Sequence, residues 1–179
     1  MSSWCARLAA FWLGLGLSQT LACGDEEVTL FACQTTNENR AIYLCGTPDG
    51  ANGWFGIRYV YATKKGEELS YPADPAQGRE KLFFSHLFRK GLYEMYVRFE
   101  NGGYAYRLFF RDAPQSTDPD FVNGPDAGVE VIRKHKTVAT INCGERPTNY
   151  FDDIRKATAC DLDNPLGKAG CAENAPEEK

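Results

Sequence analysis

The stretch LFFSHLFRKGLYEMYVRFENGGYAYRLFF, from Leu82 to Phe110, decides the fold. Asn101-Gly102 is a two-residue signal for a type I′ hairpin, because both turn positions need positive φ. A turn there pairs Phe99 with Tyr104, Val97 with Tyr106, Met95 with Leu108 and Tyr93 with Phe110, all on one face. The opposite face then carries Glu94, Tyr96, Arg98, Arg107, Phe109 and Arg111, with Tyr96 across from Arg107, where ring and guanidinium stack. Upstream, a turn at Lys90-Gly91 sets Phe88 opposite Tyr93, His86 opposite Met95, Phe84 opposite Val97 and Leu82 opposite Phe99. A one-residue slip in either pairing would send the apolar set to water, so a three-stranded antiparallel meander is predicted.

Working outward, Val28–Cys33 and Ala41–Cys45 read as two short strands around the polar stretch from Thr35 to Arg40. Phe55, Ile57, Tyr59 and Tyr61 alternate with Gly56, Arg58 and Val60, and Lys65-Gly66 turns the chain toward Glu68–Tyr71. Val129–Ile132 and Thr137–Cys143 form a last pair, with Arg133, Lys134, His135 and Lys136 at its tip. Between the meander and that pair, Asp112 to Gly128 is rich in proline and aspartate and reads as a long exposed loop. After Pro147, Thr148 or Asn149 is expected to cap a short helix through Ala157, with Tyr150, Phe151, Ile154 and Ala157 as its apolar face. Asp152 and Asp153 in its first turn and Arg155 and Lys156 in its later one match the helix dipole. The expected fold is mainly β: an antiparallel β-sandwich or barrel of about seven to nine strands with one short C-terminal helix, stapled by disulfides.

Composition agrees with that class. The 179 residues are 43% apolar and 25% charged, ordinary globular values that leave length for one domain with a sizeable core. A formal charge of −4 argues against a partner bound by neutralising phosphates, so no nucleic acid is expected. The aromatic share is 13%, and most of those rings fall between Tyr43 and Phe110.

Met1 to Ala22 reads as a signal peptide: Arg7, an apolar run from Leu8 through Leu17, then small residues at Thr20 and Ala22. That run is too short to span a bilayer, and no later stretch approaches the required length. The mature domain is read as 23–171, followed by a disordered acidic tail at 172–179. Removing Cys5 with the leader leaves an even six: Cys23, Cys33, Cys45, Cys143, Cys160 and Cys171. They are expected to form three disulfides in an oxidising compartment, the periplasm or the exterior. Proximity pairs Cys33 with Cys45 and Cys160 with Cys171, leaving Cys23 for Cys143. The alternative, a lipoprotein acylated on Cys23, would strand one thiol and would put Thr20 where such signals carry leucine.

Catalytic groups are sparse. The mature chain holds Ser70, Ser85 and Ser116 as its serines and His86 and His135 as its histidines, with no G-x-S-x-G elbow. Ser85 and His86 are strand neighbours and point to opposite faces, so they cannot act as nucleophile and base. His86 falls on the apolar face and reads as a buried, hydrogen-bonded, neutral imidazole. Glu94, Glu100, Glu130, Asp152 and Asp153 are available for glycoside cleavage, but solvent-facing strand positions and the helix start account for most of them. Asp118-Pro-Asp120 and Asp161-Leu-Asp163 open like calcium loops, yet the twelfth positions are Val129 and Ala172 instead of glutamate. There is no C-x-x-C pair, so neither metal nor cofactor is expected.

What remains is surface. Aromatics interleaved with arginine at Tyr96, Arg107 and Phe109 resemble the make-up of interaction hot spots. The cationic tip Arg133, Lys134, His135 and Lys136 suits an acidic partner surface, and Asp118 and Asp120 mark the protruding loop as a third contact.

Phe31-Ala32-Cys33, Leu44-Cys45, Ile57-Arg58-Tyr59 and Glu68-Leu69-Ser70-Tyr71-Pro72 resemble the small uncharacterised cysteine-containing exported proteins of Gram-negative bacteria. That resemblance implies export and a β fold and carries no mechanism. The functional expectation is therefore a monomeric, non-enzymatic periplasmic binding protein. In its most concrete form it is an inhibitor or immunity-type protein that neutralises an envelope-targeted enzyme or toxin. The alternatives are a carboxylate-dependent envelope hydrolase and a structural or assembly factor of the cell envelope.

Overall fold

The computed structural model describes residues 23–51, 53–89, 91–113, 125–164 and 167–172. The leader read over Met1–Ala22 and the tail from Glu173 onward lie outside them. Two sheets face each other as a sandwich. The first is built from β1 (Val28–Gln34), β2 (Arg40–Pro48), β3 (Trp54–Thr63) and β4 (Gly66–Tyr71), and the second from β5 (Phe83–Arg89), β6 (Leu92–Asn101), β7 (Tyr104–Asp112), β8 (Asp126–Arg133) and β9 (Lys136–Asn142). Two strands of two residues each extend the edges: β10 (Thr148–Asn149) beside β1, and β11 (Ala159–Cys160) beside β5. The first sheet runs β10-β1-β2-β3-β4 and the second β11-β5-β6-β7-β8-β9, antiparallel throughout except where β11 meets β5.

One core draws on both sheets. Phe31, Ile42, Leu44, Ile57 and Tyr59 come from the first and Phe84, Met95, Val97, Phe99, Leu108 and Val129 from the second. Phe99 sits at the centre. Its ring stacks on Tyr106 with centroids 4.8 Å apart and on Tyr71 at 4.9 Å, so β4 and β7 meet across the layer through one aromatic column. Burying one such ring contributes roughly 2–3 kcal/mol, and losing the contacts it anchors would add to that.

The β5–β6 register is the one expected, with Phe84 facing Val97, His86 facing Met95 and Phe88 facing Tyr93. The β6–β7 turn is moved by one residue. Phe99 faces Tyr106 and Val97 faces Leu108, because Gly102 and Gly103, at φ 61° and 80°, occupy the two turn positions while Asn101 stays in the strand. Two glycines carry no Cβ penalty at positive φ, which outweighs the preference for asparagine at the first position. Each residue's opposite number shifts by two, an even step, so every side chain keeps its predicted face.

Two of the three expected disulfides are exchanged. Cys160–Cys171 forms as read, but Cys23 bonds to Cys45 and Cys33 to Cys143. Proximity failed because Cys33 and Cys45 lie on opposite faces of the first sheet. Cys33 belongs to the interior with Ile42 and Leu44, whereas Cys45 joins Cys23, Val60 and Ala62 in a small outer cluster. Side chains alternate along a strand, so no bridge joins the two faces. Cys33–Cys143 instead ties the first sheet to the end of β9, beside a bridge between Thr35 and Cys143. The Cys23 sulfur is bonded to Cys45.

The C-terminal helix, α2, spans Phe151–Ala157, and its cap differs from the expected one. Thr148 and Asn149 pair with β1, Tyr150 occupies the cap position without a side-chain bond, and its ring is exposed. The β1 ladder captures these residues through the Tyr150 amide bond to the Leu30 carbonyl. Ile154 and Ala157 are buried as read. A short turn at Pro75–Gln77 leads into a single helical turn, α1 (Gly78–Lys81), which lies on β3. Three disulfides fit an oxidising, non-cytoplasmic compartment. Among the described residues, no helix is long and apolar enough to cross a membrane.

Candidate functional site

The outer face of the second sheet carries the site. Alternation along β6 turns Glu94, Tyr96, Arg98 and Glu100 away from the core, and the register on β7 places Ala105, Arg107, Phe109 and Arg111 beside them. Each arginine lies over a ring. Arg98 sits 5.3 Å from the Phe83 centroid, Arg107 5.4 Å from Tyr96 and Arg111 4.6 Å from Phe109. Tyr96 pairs with Phe109 across the ladder, so Arg107 reaches it along the diagonal.

Acids hold the other side of each guanidinium. Arg98 donates from Nε to Asp161 Oδ2 at 3.0 Å and from Nη2 to Asp161 Oδ1 at 2.9 Å, and Asp163 accepts at 3.1 Å. The Asp161 fork raises the Arg98 pKa further, against the opposing effect of burial. Arg107 donates to Glu130, its neighbour across the ladder on β8. Arg111 lies 3.6 Å from Glu94 and 3.1 Å from Asp126. Burial works against the Arg111 charge, but Tyr96, Asp126 and Glu94 together outweigh it and raise its pKa. The Tyr96 hydroxyl is pushed up, by burial first and also by the Glu94 charge, against the Arg111 bond that lowers it. Tyr96 is therefore a neutral donor at physiological pH, fixed in place by charged neighbours.

Over this floor lies a groove of about 840 Å³. Glu94, Tyr96, Arg98 and Arg107 form its base, Tyr104 and Gly103 of the β6–β7 hairpin one rim, Lys134 and His135 of the β8–β9 tip another, and Asp161, Asp163 and Asn164 the wall opposite. The groove has a basic lip and an acidic lip. Lys134 and His135 make the β8–β9 turn themselves, with φ of 49° and 60°. Side chains rarely adopt that conformation without a compensating reason.

Four of the residues singled out from sequence thus line one groove: Tyr96, Arg107, Lys134 and His135. Arg133 and Lys136 are exposed but lie outside its lining, with Arg133 stacked over Tyr104 at 5.2 Å. Phe109 is a correction. It is only 2% exposed, because Arg111 covers its ring and the β7–β8 pairing brings Gly128 against it. A Cβ at position 128 would stand 3.1 Å from the Phe109 ring and would collide with the Ile141 carbonyl. Asp118 and Asp120 lie outside the described residues. At the two ends of the stretch read as a loop, Asp112 closes β7 and Asp126 to Gly128 open β8.

The sequence reading missed Arg98 and its partner Asp161 as a unit. Asp161 follows Cys160, and the pairing of β11 beside β5 carries it over to β6. A parallel contact between segments so distant in the chain leaves no local signal. His86, as expected, is buried, and aromatic rings surround it. Phe151 stacks at 4.9 Å, Phe84 lies at 5.5 Å and Tyr93 at 6.4 Å. Cys23, Glu27 and Cys45 converge closely enough to resemble a metal-ligand set, but the two sulfurs are bonded to each other and Glu27 is held by Arg58. Compared with known proteins, the chain matches no protein-family model, no curated protein and no solved structure.

Proposed function

We propose that this is a periplasmic binding protein that neutralises an envelope-targeted enzyme or toxin by docking a protruding segment of that protein in the groove of the second sheet. The observation that carries the reading is the convergence of Tyr96, Arg107, Lys134 and His135, selected from sequence as contact residues, on a single concave surface. Aromatic and arginine side chains immobilised by their neighbours lose little entropy on binding, the property that makes such residues dominate interfaces. The basic lip favours a partner that presents acid there, and its charge would act chiefly on the association rate.

A carboxylate-dependent hydrolase fits this geometry less well. Among the groove acids, Glu94 is bridged to Arg111 and Asp161 to Arg98, which uses them as props for the floor.

The test is capture from a periplasmic extract by the oxidised mature chain, followed by assay of the captured enzyme with and without added protein. Inhibition that falls at least about tenfold for the Lys134→Glu/His135→Glu variant, and stays unchanged for Lys65→Glu on the other sheet, is expected. Absence of a stable partner, or equal inhibition by the groove variant, would overturn the reading.

A further inference from the structure

The charges on the groove floor cancel, and those on its lips do not. On the floor Glu94 is set against Arg111, and Arg107 against Glu130. At the acidic lip three carboxylates share one guanidinium, with Asp161 at 2.9 Å, Asp163 at 3.1 Å and Glu100 at 3.5 Å from Arg98. Two negative charges are left over. They fall to the outer pair, since the Glu100 and Asp163 side chains are 75% and 86% exposed while Asp161 is buried. On the basic lip, Lys134 has no acidic partner among the described residues, and neither have its neighbours Arg133 and Lys136.

The acidic lip is built before any partner arrives. The Asp161 amide donates to the Phe84 carbonyl at 2.8 Å, the Asp163 amide donates to Asp161 Oδ1 at 3.2 Å, and the Cys160–Cys171 bridge closes the loop that carries both acids. On the floor, alternation along β5 turns Ser85 into the groove, opposite Tyr96. Ser85 is only 6% exposed, and its hydroxyl has no hydrogen-bond partner among the described residues. That donor and acceptor is left for a group that enters the groove. Register sets the span between the lips. Glu100 faces Ala105 and Ala105 faces Ile132, so Glu100 lies level with the residue two before Lys134, two strands away. Two strand spacings across and two residues along separate the Glu100 and Lys134 backbones by about 12 Å. Four residues of extended chain cover about 13 Å, and residues four apart in such a chain point to the same side.

On the reading of the groove as a docking site, we propose that it accepts an extended peptide segment of the partner that carries an acidic and a basic side chain four residues apart. The acid lies on Lys134, the base lies between Glu100 and Asp163, and the Ser85 hydroxyl bonds to the segment's backbone. A wholly acidic segment would meet the surplus charge of one lip and a wholly basic segment the cations of the other, so the groove discriminates against both. An α-helix fits poorly, because its residues four apart stand only about 6 Å from each other.

Short capped peptides test this, titrated into the oxidised mature chain and followed by amide chemical shifts. One carries glutamate and lysine four positions apart in a serine, glycine and tyrosine background, and two others carry only glutamate or only lysine at those positions. The mixed peptide is expected to bind at least about threefold more tightly than either uniform one, with shifts at Ser85, Glu100 and Lys134. Glu100→Lys/Asp163→Lys should reverse the order in favour of the glutamate peptide, and the milder Glu100→Gln/Asp163→Asn should level the two. Ser85→Ala should weaken the mixed peptide without changing the order. Far-UV circular dichroism of each variant verifies that the fold is retained. Absence of shifts in the groove, equal binding of the three peptides, or an order indifferent to Glu100→Lys/Asp163→Lys would each overturn the proposal. A captured partner that is lost with Lys134→Glu/His135→Glu but indifferent to the acidic-lip variants would keep the docking reading and remove this one.

Discussion

Lys134 and His135 occupy turn positions that carry a backbone cost for residues with a full side chain. Both sit in the left-handed region, where asparagine and glycine would be at ease. Replacing them with Asn-Gly is expected to raise stability by about 1 kcal/mol in urea unfolding, while removing the basic lip and weakening partner capture. His86 is a different case. Burial lowers its pKa below the ordinary 6.5, the Arg155 charge acts in the same direction, and the Ala172 backbone and Asp152 oppose them. Tyr93, Phe84 and Phe151 complete its surroundings and offer no charge. The unfolded chain therefore takes up this proton at higher pH than the folded one. Stability should be level above pH 6.5 and fall as the pH drops from there toward the folded value, where the decline from this residue ends. Urea midpoints at several pH values should show that slope in the wild type and a shallower one in His86→Phe.

At the level of elements, the most exacting polar contact joins the segment before β1 to β3. Arg58 donates from Nε to Glu27 Oε1 and from Nη2 to Glu27 Oε2, each at 2.7 Å, and also reaches Glu67 and Ser70 on β4. The two side chains of the main pair are 12% and 10% exposed, so water screens them little. Burial alone would raise the Glu27 pKa. The Arg58 fork and the Gly24 amide more than reverse this and hold it below the ordinary 4.5. Its contribution is present above that pH and is lost as acid titrates through the lowered value. Glu27→Ala would remove both of these bonds from an arginine side chain that is only 12% exposed, and should cost about 2–3 kcal/mol in denaturant unfolding. A double-mutant cycle with Arg58→Ala should recover part of that cost as coupling.

For the whole molecule, the disulfides differ in reach. Cys33–Cys143 closes a sequence separation of 110 residues and Cys160–Cys171 one of 11. Loop-closure entropy assigns about 5 kcal/mol to the first and about 3 kcal/mol to the second. Replacing Cys33 and Cys143 by serine should therefore lower the denaturant midpoint more than replacing Cys160 and Cys171. It should also loosen β9 at the end where the sheets are tied, detectable as faster amide exchange in Ala139–Asn142 than the shorter bridge's removal produces.

Sequence by itself determined the strands, their facing and the Arg-aromatic surface, because period-two alternation and turn chemistry are local and each hairpin partner lies a few residues away. The β5–β6 register followed from Lys90-Gly91 alone, and even the displaced β6–β7 turn kept every side chain on its face. Tertiary structure decided what depends on segments far apart in the chain. It sent Cys33 and Cys45 to opposite faces, brought Asp161 to Arg98 through a two-residue strand, covered Phe109 with Gly128 opposite it, and left β9 at the edge. Each of these follows from which strand lies beside which, and strand order is fixed by the burial of one shared core around Phe99, a collective quantity that no local window contains.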